Sequence, residues 1–270
     1  DRAGAGQATR AMPSNIIVVA GSGLGLVLLA TTALWAVSLR IKDASIVDPF
    51  WGPGFAIVTI TYLLVDGRFT SRGILAMMII TIWAARLGIY LLGRNRREGE
   101  DPRYQKFRED GGPSFWWTSL FKIFYLQALL LWMISAPLLG AILSDSPLGA
   151  WDALGSVFFL VGLAFEAVAD KQLATFKADP QNSGRVLDTG LWRYSRHPNY
   201  FGEAVLWWGI YLVAVGGGAY WTVVGPLMIT FLLLKVSGVT MLEARLENTR
   251  PGYAEYVRRT SAFVPWPPKD

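Results

Sequence analysis

The residues best suited to chemistry lie in one run, Gly190-Leu-Trp-Arg193-Tyr194-Ser-Arg196-His197-Pro198-Asn199-Tyr200-Phe-Gly202-Glu203, which leads straight into an apolar stretch. Polar groups at the edge of hydrocarbon are costly unless they face a cavity or one another. Pro198 suits the first turn of a helix, because its missing N–H would be unpaired there anyway. The N-terminus of such a helix carries partial positive charge and free N–H donors. With Arg193 and Arg196 it makes a seat for a phosphate or carboxylate. Asn199 and Glu203 stand four apart, on one helix face, where they can hold an amide or a ribose. Snorkelling and a helix cap account for the arginines but not for Glu203.

Asp48 is the second feature, in Ile46-Val47-Asp48-Pro49-Phe50-Trp51, where a Gly- and Pro-broken segment leads into an apolar run. An ionised carboxylate is costly at such depth. Two readings stay open: a protonated acid that donates a hydrogen bond to a carbonyl oxygen, or an N-cap with Pro49 at the first helical position. Arg86 is the third, sharing one face with Trp83 and Tyr90, three and four residues away. A mid-helix arginine needs a partner or an anion. Asp170 follows Glu166 by four residues and either pairs with an arginine or binds a ligand hydroxyl. The tail from Leu242 through Tyr253 to Tyr256 is densely charged and reads as an amphipathic helix at the interface.

These residues need elements to hold them. The chain has 270 residues, 53% of them hydrophobic, and several apolar runs reach the roughly 20 residues that cross a bilayer. The expected fold is an all-α integral membrane bundle with seven transmembrane helices, at about 15–38, 46–65, 73–93, 119–143, 149–169, 203–216 and 219–241. A polar tail, 1–14, precedes this membrane domain, 15–241, and an amphipathic tail, 242–270, follows it. Lys and Arg concentrate in the connections 94–118 and 170–202 and in the C-terminal tail. Seven spans place those three segments on one side, which makes it cytoplasmic and leaves the N-terminus outside. Arg68 and Arg72 run against that scheme. The net charge of +5 reflects orientation rather than a nucleic-acid partner. There is no cysteine and a single histidine, which excludes disulfides, thiolate catalysis and a His-rich metal site. No internal repeat suggests an inverted-repeat transporter, and no Gly-x-Gly-x-x-Gly opens a helix after a strand.

The run from Gly190 to Glu203 and the tail from Glu243 through Tyr256 to Pro265 resemble the C-terminal region of the steroid 5α-reductase superfamily. The segment around Asp48 and Trp51 resembles a bacterial branch of it. The resemblance implies a bundle that binds NADPH in its cytoplasmic half and takes a lipophilic substrate from the membrane. It implies a monomer in a bacterial inner membrane, surrounded by lipid. Asn199 and Glu203 would hold the nicotinamide or its ribose. Arg86, Arg94, Asp170, Lys177, Arg185 and Arg245 would contact phosphates, ribose or adenine, with Arg193, Arg196, His197, Tyr200 and Tyr256 beside them. Asp48, Trp51 and Trp83 would line the substrate side. Two departures stand out: Asp48 lies near the family's Gln-Glu pair, and Trp83 precedes Arg86 at the spacing where the family has tyrosine. Tryptophan cannot protonate an enolate. The expected reaction is NADPH-dependent reduction of a C=C bond conjugated to a carbonyl. The alternative is an S-adenosylmethionine-dependent methyltransferase of the isoprenylcysteine carboxyl methyltransferase type, which shares Arg-His-Pro-x-Tyr, here Arg196 to Tyr200.

Overall fold

Apolar runs in hydrocarbon must satisfy their own backbone groups, and a helix does so within one segment. The computed structural model describes residues 15–236, 243 and 250–269, without the side chains of residues 97 and 98, and contains no strand among them. Five helical stretches are long and apolar enough to cross a membrane: Ile16–Ile41, Ala44–Asp66, Ser71–Arg96, Pro102–Ile134 and Ala150–Ala178. The polar segment 1–14, residues 237–242 and 244–249, and with them Arg245 and part of the expected tail helix, lie outside the described residues. The chain divides into two units, residues 1–147 and 148–270.

In the first unit, α1 (Ile16–Ile41) is capped by Asn15, whose side chain accepts from the Ile17 N–H. A 3-10 turn (Ala44–Ile46) runs into α2 (Val47–Asp66), and Thr70 caps α3 (Ser71–Glu98). Asp101 caps α4 (Pro102–Gly111), which has Pro102 in its first turn. There follow α5 (Phe115–Ser119), a π-helical stretch (Leu120–Tyr125), α6 (Leu126–Ile134) and α7 (Ala136–Ile142). Small residues let these helices approach. A Cβ on Gly52 would stand 2.9 Å from the Ala84 carbonyl oxygen, and one on Gly23 would run into the Tyr62 ring. Buried polar side chains bridge helices, as hydrogen bonds do where no water competes. The Tyr62 hydroxyl meets Ser135 Oγ at 2.9 Å, and Trp132 Nε1 donates to the Ala20 carbonyl at 2.8 Å.

The second unit rests on an antiparallel pair, α8 (Ala150–Ala178) and α9 (Pro198–Gly216). Gly155 and Gly162 on α8 are seven apart, as are Gly202 and Gly209 on α9. A Cβ on Gly155 would lie 2.6 Å from the Gly209 carbonyl oxygen, and one on Gly162 would lie 2.5 Å from that of Gly202. The reciprocal contacts, 2.6 Å in each case, show two backbones in direct touch, a packing open only to glycine. A 3-10 turn (Tyr220–Val223), α10 (Val224–Phe231) and a π-helical stretch (Leu232–Val236) follow, and α11 (Tyr253–Arg259) lies near the end.

Several boundaries differ from the sequence expectation. The expected loop 94–118 is mostly helical, because α3 runs to Glu98 and Asp101 starts α4 at once. The connection 170–202 shrinks to 179–197, since α8 continues through its polar last turns and Pro198 starts α9 before the apolar run begins. Ser135 interrupts the expected span 119–143. Asp48 is not an N-cap: the backbone is already helical at Ile46, so Asp48 falls inside the first turn of α2.

Candidate functional site

Two clusters gather the residues singled out in the sequence, one in each unit. In the first unit, the Asp48 carboxyl accepts from all sides. Tyr104 donates its hydroxyl to Oδ1 at 2.6 Å, and Arg103 Nη2 donates to Oδ2 at 3.2 Å. Arg94 Nη2 stands 3.6 Å from the same oxygen. Asp101 anchors Arg103 through Nε at 2.9 Å and Nη2 at 3.0 Å. Burial works to raise the Asp101 pKa, but the Arg103 side chain and backbone N–H outweigh it and hold the carboxyl below its ordinary range. Gln127 Nε2 donates to the Tyr104 hydroxyl at 3.1 Å, so that oxygen is used twice. A buried core of Ala44, Val47, Tyr104, Phe115, Ile123 and Phe124 fixes α4 against the start of α2. Asp48 thus accepts two hydrogen bonds and has a second guanidinium, that of Arg94, within ion-pair distance. Arg94 is thereby tied to Asp48 within its own unit.

Trp51 meets Phe55 edge-on at 5.5 Å, and Phe55 meets Trp83 at 5.7 Å. Trp83 has no exposed surface and fills the core between α2 and α3. The Arg86 guanidinium lies 5.7 Å over the Tyr90 ring, the cation–π contact that their four-residue spacing allows.

In the second unit, the glycine contacts between α8 and α9 bring Asp170, near the end of α8, against the first turn of α9. Asn199 Nδ2 donates to Asp170 Oδ1 at 3.1 Å. With its nitrogen on a carboxylate, the amide turns Oδ1 the other way. That oxygen is buried and takes no hydrogen bond among the described residues. Asp170 is buried, and Glu203 is half-buried one turn beyond Asn199.

The connection between α8 and α9 is pinned to both helix and tail. Trp192 Nε1 donates to the Ala169 carbonyl at 3.1 Å, and the Leu191 N–H donates to Gln172 Oε1 at 3.0 Å. Ser195 Oγ donates to the Phe263 carbonyl at 2.8 Å, and the Arg196 N–H to that of Ser261 at 2.8 Å. Arg196 is a strut: Nε and Nη2 grip Glu243 at 2.7 and 3.1 Å, while Nη1 reaches the Val257 and Thr260 carbonyls at 2.9 and 2.8 Å. Its three guanidinium nitrogens thus all have protein partners. Tyr256 likewise donates to the Trp192 carbonyl at 2.5 Å and is buried against the connection, not presented to a ligand. Burial is the main cause that pushes its phenol well above its ordinary pKa.

His197 precedes α9, its ring stacked on Tyr200 at 5.4 Å and 3°. Nε2 lies 3.1 Å from Glu243 Oε1, and Nδ1 is buried with no hydrogen bond among the described residues. Burial works to raise the Glu243 pKa, but hydrogen bonds from His197 and Arg196 outweigh it and hold the carboxyl below its ordinary value. Arg193, Lys177 and Arg185 are exposed along the end of α8 and the connection. At the start of α9, Asn199 Oδ1 and His197 Nδ1 are buried, Arg193, Lys177 and Arg185 lie exposed, and the largely buried Arg196 is paired with Glu243.

Sequence reasoning missed Glu243, Arg103 and Tyr104. Glu243 lies 46 residues from His197, so no local spacing reveals their contact. Arg103 and Tyr104 follow the Asp101-Pro102 helix start, a signal that could have placed them on an ordered helix.

Helix length, apolarity and these buried polar clusters define a helical integral membrane protein. The chain belongs to the family described as protein of unknown function (DUF1295), whose profile matches residues 34–260. It is 28% identical over 275 aligned positions to an uncharacterized protein of Schizosaccharomyces pombe, a match that covers 90% of this chain and 78% of that one. A shorter stretch of 68 residues, 25% of this chain, is 37% identical to a probable O-methyltransferase, ustE, of Ustilaginoidea virens and covers 24% of that protein. No solved structure matches the chain.

Proposed function

We propose that this protein is a membrane-embedded, NADPH-dependent reductase of a C=C bond conjugated to a carbonyl in a lipophilic substrate. The observation that carries the reading is the Asn199 amide, anchored through Nδ2 by Asp170 and left with a buried, open acceptor at Oδ1. A carboxamide N–H or a ribose hydroxyl matches that acceptor. Glu203 adds a second acceptor on the same helix face. The resemblance of the Gly190 to Glu203 run to the steroid 5α-reductase superfamily supports the same assignment.

Bound there, NADPH would supply a hydride to the β-carbon of the substrate, and a proton taken up from solvent at the α-carbon would complete the reduction. Asp170 orients Asn199, and Asn199 and Glu203 bind the donor groups. The exposed Lys177, Arg185 and Arg193 suit the several phosphate charges of this cofactor. The Asp48 cluster is left out of the proposed chemistry, because Tyr104 and Arg103 already donate to its two oxygens and Arg94 lies in ion-pair range.

The proposed topology has seven spans, with α9 and Tyr220–Val236 as the sixth and seventh, the N-terminus outside and the C-terminus cytoplasmic. At 19 residues, α9 rises about 28 Å, close to the thickness of a bilayer core. Of the two arginines that run against the charge rule, Arg68 is neutralised by ion pairs and Arg72 is held by hydrogen bonds to neutral groups. Arg68 pairs with Asp66 and Asp145, and Arg72 donates to Ser144, Ser146 and the Pro147 carbonyl.

A second reading, methyl transfer from S-adenosylmethionine, is favoured by the local likeness to ustE. Titration of the purified protein in detergent, followed by tryptophan fluorescence, separates the two. The reductase reading expects saturable binding of NADPH, weakened about tenfold in Asn199→Ala, as when a buried hydrogen bond is lost. Saturable binding of S-adenosylmethionine without binding of NADPH would sink it.

A further inference from the structure

Two buried polar atoms at the start of α9 take no hydrogen bond among the described residues, Asn199 Oδ1 and His197 Nδ1. The proposed function uses the first and leaves the second without a task. A buried ring nitrogen with no partner is destabilising, and a ligand group that reached it would supply that partner. The His197 side chain is only 2% exposed, so bulk water does not fill that role.

The surroundings of the ring decide what Nδ1 can do. Nε2 lies 3.1 Å from Glu243 Oε1. Glu243 also takes both Nε and Nη2 of Arg196, which keeps the carboxylate in its ionised form. An ionised carboxylate can only accept, so the proton of the neutral imidazole sits on Nε2. Nδ1 then carries a lone pair. Tyr200, stacked at 3°, holds the plane of the ring.

We infer that Glu243 is a positioning residue that sets the tautomer of His197, and that His197 Nδ1 accepts a hydrogen bond from the bound cofactor, from its carboxamide N–H or a ribose hydroxyl. This assignment rests on the NADPH reading. It adds a third acceptor to Asn199 and Glu203 and makes the C-terminal segment, through Glu243, part of the binding site.

His197 is the only histidine in the chain, so protein labelled with 15N-histidine gives the ring signals of this one residue. The expected spectrum of the ligand-free protein shows the Nε2–H tautomer, with an unprotonated Nδ1 whose signal moves when NADPH saturates the site. The 3-acetylpyridine analogue of NADPH has no amide N–H. Loss of the Nδ1 shift with it assigns the contact to the carboxamide, and persistence assigns it to a ribose hydroxyl. In Glu243→Leu, which leaves no acceptor beside Nε2, the preference for the Nε2–H tautomer is lost and the Kd for NADPH rises about tenfold. His197→Asn keeps an acceptor near the Nδ1 position and retains affinity, whereas His197→Gln keeps only the contact to Glu243 and loses it. A purely structural latch gives the reverse order. Binding of NADPH with an unmoved Nδ1 signal, or an Nδ1–H tautomer in the wild type, overturns this assignment alone. Absence of NADPH binding overturns the assignment and the cofactor reading together.

Discussion

The Asp48 cluster of the first unit and the α9 cluster of the second are built from the same parts. Each sets carboxylates and arginines at the start of an apolar helix and adds an aromatic residue and an amide. They differ in how completely the polar atoms are used. Both oxygens of Asp48 accept, the Tyr104 hydroxyl both donates and accepts, and Gln127 completes the set. At α9, Arg196 and Tyr256 are consumed by the connection and tail, while Asn199 and His197 each keep one buried atom open. A saturated cluster holds a fold together. A cluster with buried open acceptors has kept room for something else, because burying them unpaired is costly.

Removing a strut breaks the comparison most severely. Arg196→Ala leaves two tail carbonyls without their donor and Glu243 with His197 as its remaining partner. The expected loss is about 3–5 kcal/mol, the cost of breaking a buried pair, read as a fall in the thermal midpoint in detergent. An unchanged midpoint would mean the tail is not held as described. Next in size is Gly202→Val, whose first added atom would lie 2.6 Å from the Glu166 backbone nitrogen. We expect it to cost about 1–3 kcal/mol by overpacking and to weaken NADPH binding as Asp170 and Asn199 separate. Retained affinity would show that the glycine contact does not position the site.

Asp48→Asn and Asn199→Ala sharpen the contrast directly. Asp48→Asn removes charge from a saturated cluster and is expected to lower stability by about 1–3 kcal/mol while leaving NADPH affinity in place. Asn199→Ala is expected to do the opposite, with a small change in stability and a clear loss of affinity. Equal effects on both measurements would erase the distinction between the clusters.

The smallest effect is in pH. Glu243 has a folded pKa below its ordinary value of 4.5. Its contribution to stability is therefore present above 4.5 and is lost as pH falls through the lower folded value. Denaturation profiles below pH 5 should lose that component in Glu243→Gln and keep it in Glu109→Gln, a carboxylate for which α4 is an exposed position. Identical profiles for wild type and Glu243→Gln would count against the latch.

The sequence alone determined what depends on neighbours along the chain. Apolar run length dictated membrane helices, Pro198 dictated a helix start, and the four-residue step dictated that Asn199 and Glu203 share a face. These follow from backbone hydrogen bonding and helical period, which are local. Only the tertiary structure decided which polar residues are spent and which stay open. Arg196, Arg94 and Tyr256 look like ligand-binding residues in sequence and prove to be tied to Glu243, Asp48 and the Trp192 carbonyl. The contact of Asp170 with Asn199 depends on four glycines that let α8 and α9 touch. The Glu243 partner of His197 comes from 46 residues away. Satisfaction of a buried polar atom is a property of everything packed around it, and no stretch of sequence contains that.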